Sequence, residues 1–373
     1  MIDPRLRKLA QLLVRYCVKV RPGDRVGIIP YGSIASALSL QAELVREVLK
    51  SGGQPHPYAI PALVDEFDYV FYSAAADAQL RQPDRVYELV TKEFDCDIGI
   101  LCETNTRRLS HVDAERQVIR RRAHSDLIRL YFERAARGEL RWVLAPYPTT
   151  AYAQEAEMSL EEYEDFVFSA VYADTEDPIS RWEEIGRKQQ GLVDWLGGRK
   201  TVQARGKHVD LSFSVEGRTF ISCDGRVNMP DGEIFTSPVE DSVNGWLEST
   251  YPAIKYGIDV GKVTFRFENG TIVRADAEKN QAHLDKLLAT DEGAHQLGEF
   301  GIGTNNAIKV FTRNMLFDEK IAGTIHVAAG AGIPETGAVN DSAIHWDFLC
   351  DMTEGGQITV DGRPFYDSGR FLV

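Results

Sequence analysis

The pattern of apolar residues changes near residue 200, and this change constrains the fold more than any other feature of the chain. Before it, short apolar runs at residues 25–30, 54–60, 97–101 and 141–145 alternate with long helical segments, which favours a mainly parallel, doubly wound sheet. After it, apolar and polar residues alternate, as in Val209, Leu211 and Phe213, which favours antiparallel strands with few helices. We therefore predict an N-terminal α/β domain over 1–199 and a C-terminal α+β domain over 200–373.

Capping residues and glycines in the sequence predict where the first helices begin and end. Asp3 followed by Pro4 predicts the start of a helix that continues to residue 17, because Asp is a favoured N-cap and Pro suits the first helical position. A second helix is expected over 37–49, and Gly52 and Gly53 end it. Together with the flanking apolar runs this predicts one βαβ unit. Helices are also expected over 113–136, within 159–196, and over 277–288.

Charge and composition exclude several classes of protein. The chain has 42 basic and 56 acidic side chains, a formal charge of −14, so it lacks the basic surface that nucleic-acid binding requires. Basic residues interrupt its first segment, which does not resemble a signal peptide, and no apolar run reaches the ~18 residues of a membrane span. Five scattered cysteines without a CxxC pair fit a reducing compartment. We expect a cytoplasmic protein with neither nucleic acid nor membrane as a partner.

Polar residues in the second half suggest chemistry. Residues 330–337 are rich in glycine, but their spacing does not match a dinucleotide fingerprint. His345 and Asp347 are two residues apart, so on a strand both lie on one face, either as metal ligands or as a hydrogen-bonded pair in a core. His326 stands in an apolar run, where a buried core histidine is the ordinary interpretation.

Three acidic residues extend these possibilities. Glu233 and Glu299 have apolar neighbours, and a carboxylate in such a setting is costly unless it is paired or binds a metal. Glu319 follows Asp318 in a segment that a solvated turn explains equally well. Spacing in the sequence does not show whether these side chains converge.

Five motifs in the second half resemble those of the aminopeptidase T and aminopeptidase S family, metallopeptidase family twenty-nine. They are residues 228–236, 297–299 and 314–319, His326, and residues 343–347. Residues 3–26 also resemble the N-terminus of that family, so the resemblance spans nearly the whole chain in the order of the family.

The resemblance implies a dimeric aminopeptidase that removes N-terminal residues from short peptides. It implies two divalent metal ions, zinc, cobalt or magnesium, in the C-terminal domain. The implied metal ligands are Glu233, Glu299, His326, His345 and Asp347, and the implied catalytic acids are Glu299 and Glu319. Three carboxylates and two imidazoles exceed the four ligands of a closed structural zinc site, which leaves positions for water and substrate.

One position departs from the family. The family commonly has a tyrosine before a proline seven residues after the first metal-binding histidine, and this chain has Ile333 there. Isoleucine supplies no hydrogen bond to a tetrahedral intermediate, so backbone amides or Tyr251 would replace it, or the chemistry has diverged. The alternatives are a single-iron, ring-cleaving dioxygenase using His326, His345 and Asp347, a hydrolase of another amide, and a non-catalytic binding protein.

Overall fold

The computed structural model describes residues 3–373, and this part of the chain forms two compact units. The first unit holds the chain up to Arg181 together with Gly225–Pro230, and the second holds Trp182–Asp224 and Asp231–Val373. The domain boundary expected near residue 200 stays a prediction, since compactness alone does not show which part folds by itself.

The first unit is built on a four-stranded parallel sheet with strand order β2-β1-β3-β4, as the apolar runs predict. Its strands are β1 Arg25–Gly32, β2 Gln54–Pro57, β3 Cys96–Cys102 and β4 Arg141–Pro146. Its helices are α1 Pro4–Gln11, α2 Ile34–Lys50, α3 Asp68–Ala74, α4 Asp77–Leu80, α5 Arg85–Glu93, α6 Ala114–Ala136, α7 Thr150–Glu155 and α8 Leu160–Ala170.

Side-chain caps start several of these helices. The Asp3 carboxylate accepts a hydrogen bond from the Arg5 amide at 2.8 Å, and Pro4 occupies the first helical position. The helix continues to Cys17 as a π-helical segment over Leu12–Cys17. Asp113 caps α6 in the same way, so the predicted start of the long helix is confirmed. Helix α9 spans Pro178–Leu196 and includes the division between the units.

The second unit contains two antiparallel sheets. The nine-stranded sheet has the order β10-β11-β9-β6-β5-β16-β17-β18, with β12 on β11, and the five-stranded sheet has the order β15-β14-β13-β8-β7. The strands are β5 Thr201–Gly206, β6 Val209–Ser214, β7 Ile221–Cys223, β8 Glu233–Thr236, β9 Asn244–Glu248, β10 Ala253–Lys255, β11 Ile258–Glu268, β12 Thr271–Lys279, β13 Leu297–Gly303, β14 Thr324–Gly330, β15 His345–Asp351, β16 Gln357–Val360, β17 Arg363–Asp367 and β18 Arg370–Phe371. The α-helices α10 Gln281–Leu288 and α11 Met315–Asp318 and the short 3-10 helices Glu292–His295 and Pro334–Thr336 also belong to this unit.

The helix expected from residue 277 begins later than predicted. Ala277 belongs to β12, where it pairs with Val263 of β11. Asn280 then adopts a left-handed backbone with φ of 61°, which ends the strand and allows α10 to begin at Gln281. Strand pairing therefore outweighs the helical tendency of residues 277–279.

The core of the second unit lies between one face of each sheet. Phe213 of β6 packs on Phe300 of β13 with ring centroids 4.9 Å apart, and Phe265 of β11 packs on Phe348 of β15 at 4.6 Å. The five-stranded sheet thus gives one face to the core and keeps the other for polar side chains. Among the described helices, none combines the length and the apolar character needed to cross a membrane.

Candidate metal centre

The five predicted ligands lie on the face of the five-stranded sheet that is turned away from the core. They are Glu233 on β8, Glu299 on β13, His326 on β14, and His345 and Asp347 on β15. Residues next to them in the chain, such as Phe300, Ile325 and Trp346, are buried in the core. Since side chains alternate along a strand, these four neighbouring strands bring ligands that are far apart in sequence to one surface.

A β-bulge in β13 turns Glu299 toward this surface. Leu297 pairs with Ala329, while Glu299 pairs with Ala328, so β13 has one more residue than its partner at this point. In a regular strand Leu297 and Glu299, two residues apart, would both point to the core face, and the bulge removes this constraint. A Cβ at position 298 would lie 2.0 Å from a backbone carbonyl oxygen, so only glycine fits.

Gly301 makes room for His326. The two residues pair across β13 and β14, and a Cβ at position 301 would lie 2.1 Å from both Cε1 and Nε2 of the imidazole. We expect Gly301→Ala to displace the ring and to weaken the binding of Zn²⁺ by at least about tenfold. Competition with a fluorescent chelator measures the affinity.

Gly191→Ala is the matched control, because a Cβ there meets no atom within 4 Å. Equal zinc affinities for the two variants would contradict a metal-binding role for His326.

Two groups of side chains share Glu299. In the first, Nε2 of His326 lies 3.3 Å from Oε2 of Glu233 and 3.2 Å from Oε1 of Glu299. In the second, Nε2 of His345 lies 3.4 Å from Oε2 of Glu299 and 3.3 Å from Oδ1 of Asp347. Each oxygen of Glu299 therefore faces a different imidazole, and the ligand atoms within each group lie within 4.8 Å of one another.

A backbone carbonyl orients His345. Its Nδ1 lies 2.9 Å from the Ala331 carbonyl oxygen, which only accepts, so Nδ1 carries the hydrogen. Nε2, which faces the carboxylates, is then free to bind a cation. His326 turns its Nε2 to the carboxylates as well, and its Nδ1 is buried with no hydrogen-bond partner in the described structure.

The carboxylates of the centre favour the protonated, positively charged forms of the two histidines. Burial disfavours protonation of both histidines, but Glu299 and other carboxylates outweigh it and raise the pKa of His326 to about 9 and of His345 to about 11. Burial raises the pKa of Glu233 to about 8. Burial also opposes ionisation of Glu299, but hydrogen bonds from the two histidines outweigh it and lower the pKa to about 2.

The donor set suits divalent cations. Glu233 Oε2 is buried without a hydrogen-bond partner in the described structure, and it faces the same imidazole as Glu299. Carboxylate oxygen and imidazole nitrogen are ligands that zinc, cobalt and related ions accept. Bound cations would supply the charge that the two histidines otherwise take up as protons.

A buried lysine lies beside Glu233, one of the candidate ligands. Lys320 is 0% exposed, and its Nζ contacts Glu319 and lies 3.6 Å from Oε1 of Glu233 and 4.0 Å from Oδ1 of Asp231. Burial opposes its charge, but these carboxylates raise the pKa of Lys320 well above its ordinary value. Cys223, Asp231 and Glu233 form a third group with ligand geometry, and the Lys320 ammonium already provides positive charge beside two of its members.

The two acidic residues at the end of α11, Asp318 and Glu319, have different surroundings. Asp318 is buried and accepts hydrogen bonds from the amide and hydroxyl of Thr312, at 2.7 and 2.8 Å, which gives it a structural role. Glu319 contacts Lys320 and belongs to neither acid–histidine group. Its predicted catalytic role stays a prediction.

Ile333 stands where a tyrosine is common among the similar sequences, and Tyr251 is the side chain considered as a substitute for the missing hydroxyl. Ile333 donates its amide hydrogen to Oγ of Ser237 at 3.1 Å. Tyr251 stacks on Phe311 with ring centroids 5.1 Å apart, and burial, with the charges of Asp351 and Asp318, raises its pKa.

Sequence reasoning did not select Lys320 or Gly301. Lys320 follows directly on Asp318 and Glu319 and precedes an apolar residue, and a lysine in such a setting signals a buried ion pair. Gly301 and Gly303 alternate with apolar residues in β13, which signals a close approach from the neighbouring strand.

Residues 2–371 match the family described as thermophilic metalloprotease (M29). The chain belongs to this family. Among M29 relatives, aminopeptidase 2 of Geobacillus stearothermophilus is 27% identical over 99% of this chain and 98% of its own length. Aminopeptidase T of Thermus thermophilus is 30% identical over 62% of this chain and 65% of its own length. As an M29 metalloprotease, the chain is expected to bind divalent metal ions. The carboxylates and imidazoles of the five residues in the centre are suitable ligands for such ions.

Two solved structures share the fold of this M29 chain. Wild-type AmpT from Thermus thermophilus superimposes with a TM-score of 0.85 at 23% identity, and both chains are fully covered. A 2,5-dihydroxypyridine dioxygenase from Pseudomonas putida KT2440 superimposes with a TM-score of 0.64 at 13% identity, over 100% of this chain and 99% of that one. At such identities the likeness concerns the fold alone, and the family match does not favour the dioxygenase alternative.

Proposed function

We propose that this chain is a metal-dependent aminopeptidase that releases the N-terminal residue of short peptides with the help of two divalent cations. The observation that carries the proposal is the sharing of Glu299 between two acid–histidine groups, one with Glu233 and His326 and one with His345 and Asp347. A carboxylate with one oxygen toward each group suits a pair of cations better than a single one. The names of the M29 relatives, all aminopeptidases, agree with it.

The bound cations would polarise the scissile carbonyl and lower the pKa of water, two effects for which a metal ion is better suited than a protein side chain. The ion is zinc, cobalt or magnesium. Glu233, Glu299 and Asp347 set three negative charges against the four positive charges of two divalent cations, so the loaded centre keeps a small excess of positive charge. A neutral α-amino group has a lone pair that such a cation would accept, and an internal peptide nitrogen does not because its lone pair is delocalised, which favours removal of the first residue.

The best candidate for proton transfer is a carboxylate that is free of the acid–histidine groups. Glu319 is such a carboxylate, because its partner is the Lys320 ammonium and not an imidazole. In the proposed mechanism Glu319 takes a proton from the attacking water and delivers it to the nitrogen of the leaving amine. Glu299 is the alternative carrier, and it would have to combine this task with cation binding.

The test combines metal counting with peptide hydrolysis. We expect about two Zn²⁺ or Co²⁺ per chain, release of leucine from leucylglycine, loss of release after chelation and recovery after the metal is returned. N-acetyl-leucylglycine, in which the α-amino group is blocked, is the matched control and is expected to stay intact.

One iron per chain without release of leucine would overturn the proposal. Oxygen consumption with 2,5-dihydroxypyridine would then point to the dioxygenase alternative. A homodimer, which the family resemblance implies, and a cytoplasmic location, which the composition suggests, remain predictions, and light scattering of the purified chain measures the first.

A further inference from the structure

We propose that the N-terminal unit holds a second binding site, for a small aromatic carboxylate, in a cavity between its sheet and helices α5 and α6. This proposal is independent of the function proposed for the metal centre. Two adjoining cavities of about 270 and 280 Å³ share Tyr31, Tyr87 and Ile128 as walls. Each is larger than the roughly 150 Å³ in which an apolar protein cavity binds benzene, so a small organic molecule fits.

The first cavity, called here the basic cavity, has a buried cation in its wall. Arg120 is only 6% exposed, and its Nη1 donates to the Gln82 carbonyl oxygen. Its Nη2 lies 4.0 Å from Asp84, at the limit of an ion pair, and its Nε is buried with no hydrogen-bond partner in the described structure. A buried guanidinium with an unused donor is costly, and an anion in the cavity would relieve that cost.

The other polar groups of the basic cavity strengthen this assignment. His124 is fully engaged, because its Nδ1 donates to the Arg120 carbonyl oxygen at 3.0 Å and its Nε2 accepts from the Asp84 amide at 3.1 Å. It is therefore neutral, and burial lowers its pKa. Arg121 also lines the cavity and is exposed, so it adds a second positive charge at the entrance.

The side chains that line the basic cavity favour a ligand with an aromatic ring. Tyr31, Tyr72 and Tyr87 line the basic cavity together with Ile60 and Leu63, and flat rings and aliphatic groups suit an aromatic ring. One buried arginine and one arginine at the entrance match a carboxylate, which binds guanidinium through two parallel hydrogen bonds.

The second cavity, called here the tyrosine cavity, determines the orientation of the ligand. Asp97 lies in its wall and accepts hydrogen bonds from Tyr58 at 3.1 Å and Tyr131 at 3.3 Å. Burial raises the pKa of Asp97 to about 7. Because a second carboxylate beside Asp97 is disfavoured, the anionic end of the ligand stays with Arg120 and the ring points inward.

The experiment uses the full chain and 3-phenylpropionate as the probe, with isothermal titration calorimetry as the measurement. We expect a dissociation constant below about 1 mM, and binding at least about tenfold weaker for the uncharged 3-phenylpropanamide, since the hydrogen bonds would lose their charge. Binding is expected to survive removal of metal by a chelator, which distinguishes this site from the metal centre.

Two variants test the assignment to this cavity. Arg121→Met is expected to weaken binding several-fold, and Arg122→Met, which changes an exposed arginine outside the cavity wall, is expected to leave it unchanged. Ala62→Leu, which fills the basic cavity, is expected to reduce binding further. Failure of the probe to bind, equal binding of acid and amide, or equal effects of the two arginine variants would each overturn the proposal.

Discussion

Replacing Glu299 by glutamine is expected to lower the affinity for divalent cations by at least about 100-fold and to abolish release of amino acids from dipeptides. Glutamine keeps the shape of the side chain but removes the charge that faces both His326 and His345. Removing one member of a buried charged group typically costs about 3–5 kcal/mol, which corresponds to two to four powers of ten in affinity. Elemental analysis after dialysis and a dipeptide assay measure the two effects.

Glu354→Gln is the control, because it makes the same change at an exposed position of the same unit. Circular dichroism of Glu299→Gln should match that of the unchanged protein. Dipeptide turnover retained by this variant would refute the assignment of the site.

The second large effect is expected from Lys320→Met. The variant leaves Glu233, Glu319 and Asp231 close together without the ammonium that balances them. We expect the metal-free protein to lose about 3–5 kcal/mol of stability, because uncompensated buried charge is costly. The metal-loaded protein should lose less, since cations bound by Glu233 supply part of the missing charge.

Thermal unfolding with and without Zn²⁺ measures this difference. The control is Lys309→Met, which removes an exposed lysine of the same unit and is expected to change stability by less than about 0.5 kcal/mol. Equal losses with and without zinc would show that Lys320 supports the fold and not the charge balance of the centre.

Periodicity in the sequence predicts much of this architecture. The apolar runs before residue 200 predict the parallel sheet, and the spacing of His345 and Asp347 predicts one strand with both side chains on one face. These features are local, since alternation along a strand is set by the backbone. The family resemblance adds the identity of the five candidate ligands, which spacing alone does not provide.

The convergence of those ligands depends on contacts that no local pattern contains. The face that Glu299 occupies is set by the bulge at Gly298, and the position of the His326 ring is set by the missing side chain of Gly301. Likewise the charge of Lys320 belongs to the centre only because the fold brings its Nζ within 3.6 Å of Glu233 on β8. Each of these contacts joins two segments that are distant in sequence, so it forms only when the strands pair.

The strand register has a consequence for how such centres are recognised in other chains. His326 stands opposite Gly301, and Asp347 stands opposite Ala328, so the hydrogen-bond ladder holds the ligands in place. Insertions in the connections between these strands can change the number of residues between ligands without moving them in space. A single insertion within a strand would turn its ligands to the opposite face. A search for related centres should therefore keep the two-residue step from His345 to Asp347 constant and leave the longer intervals free.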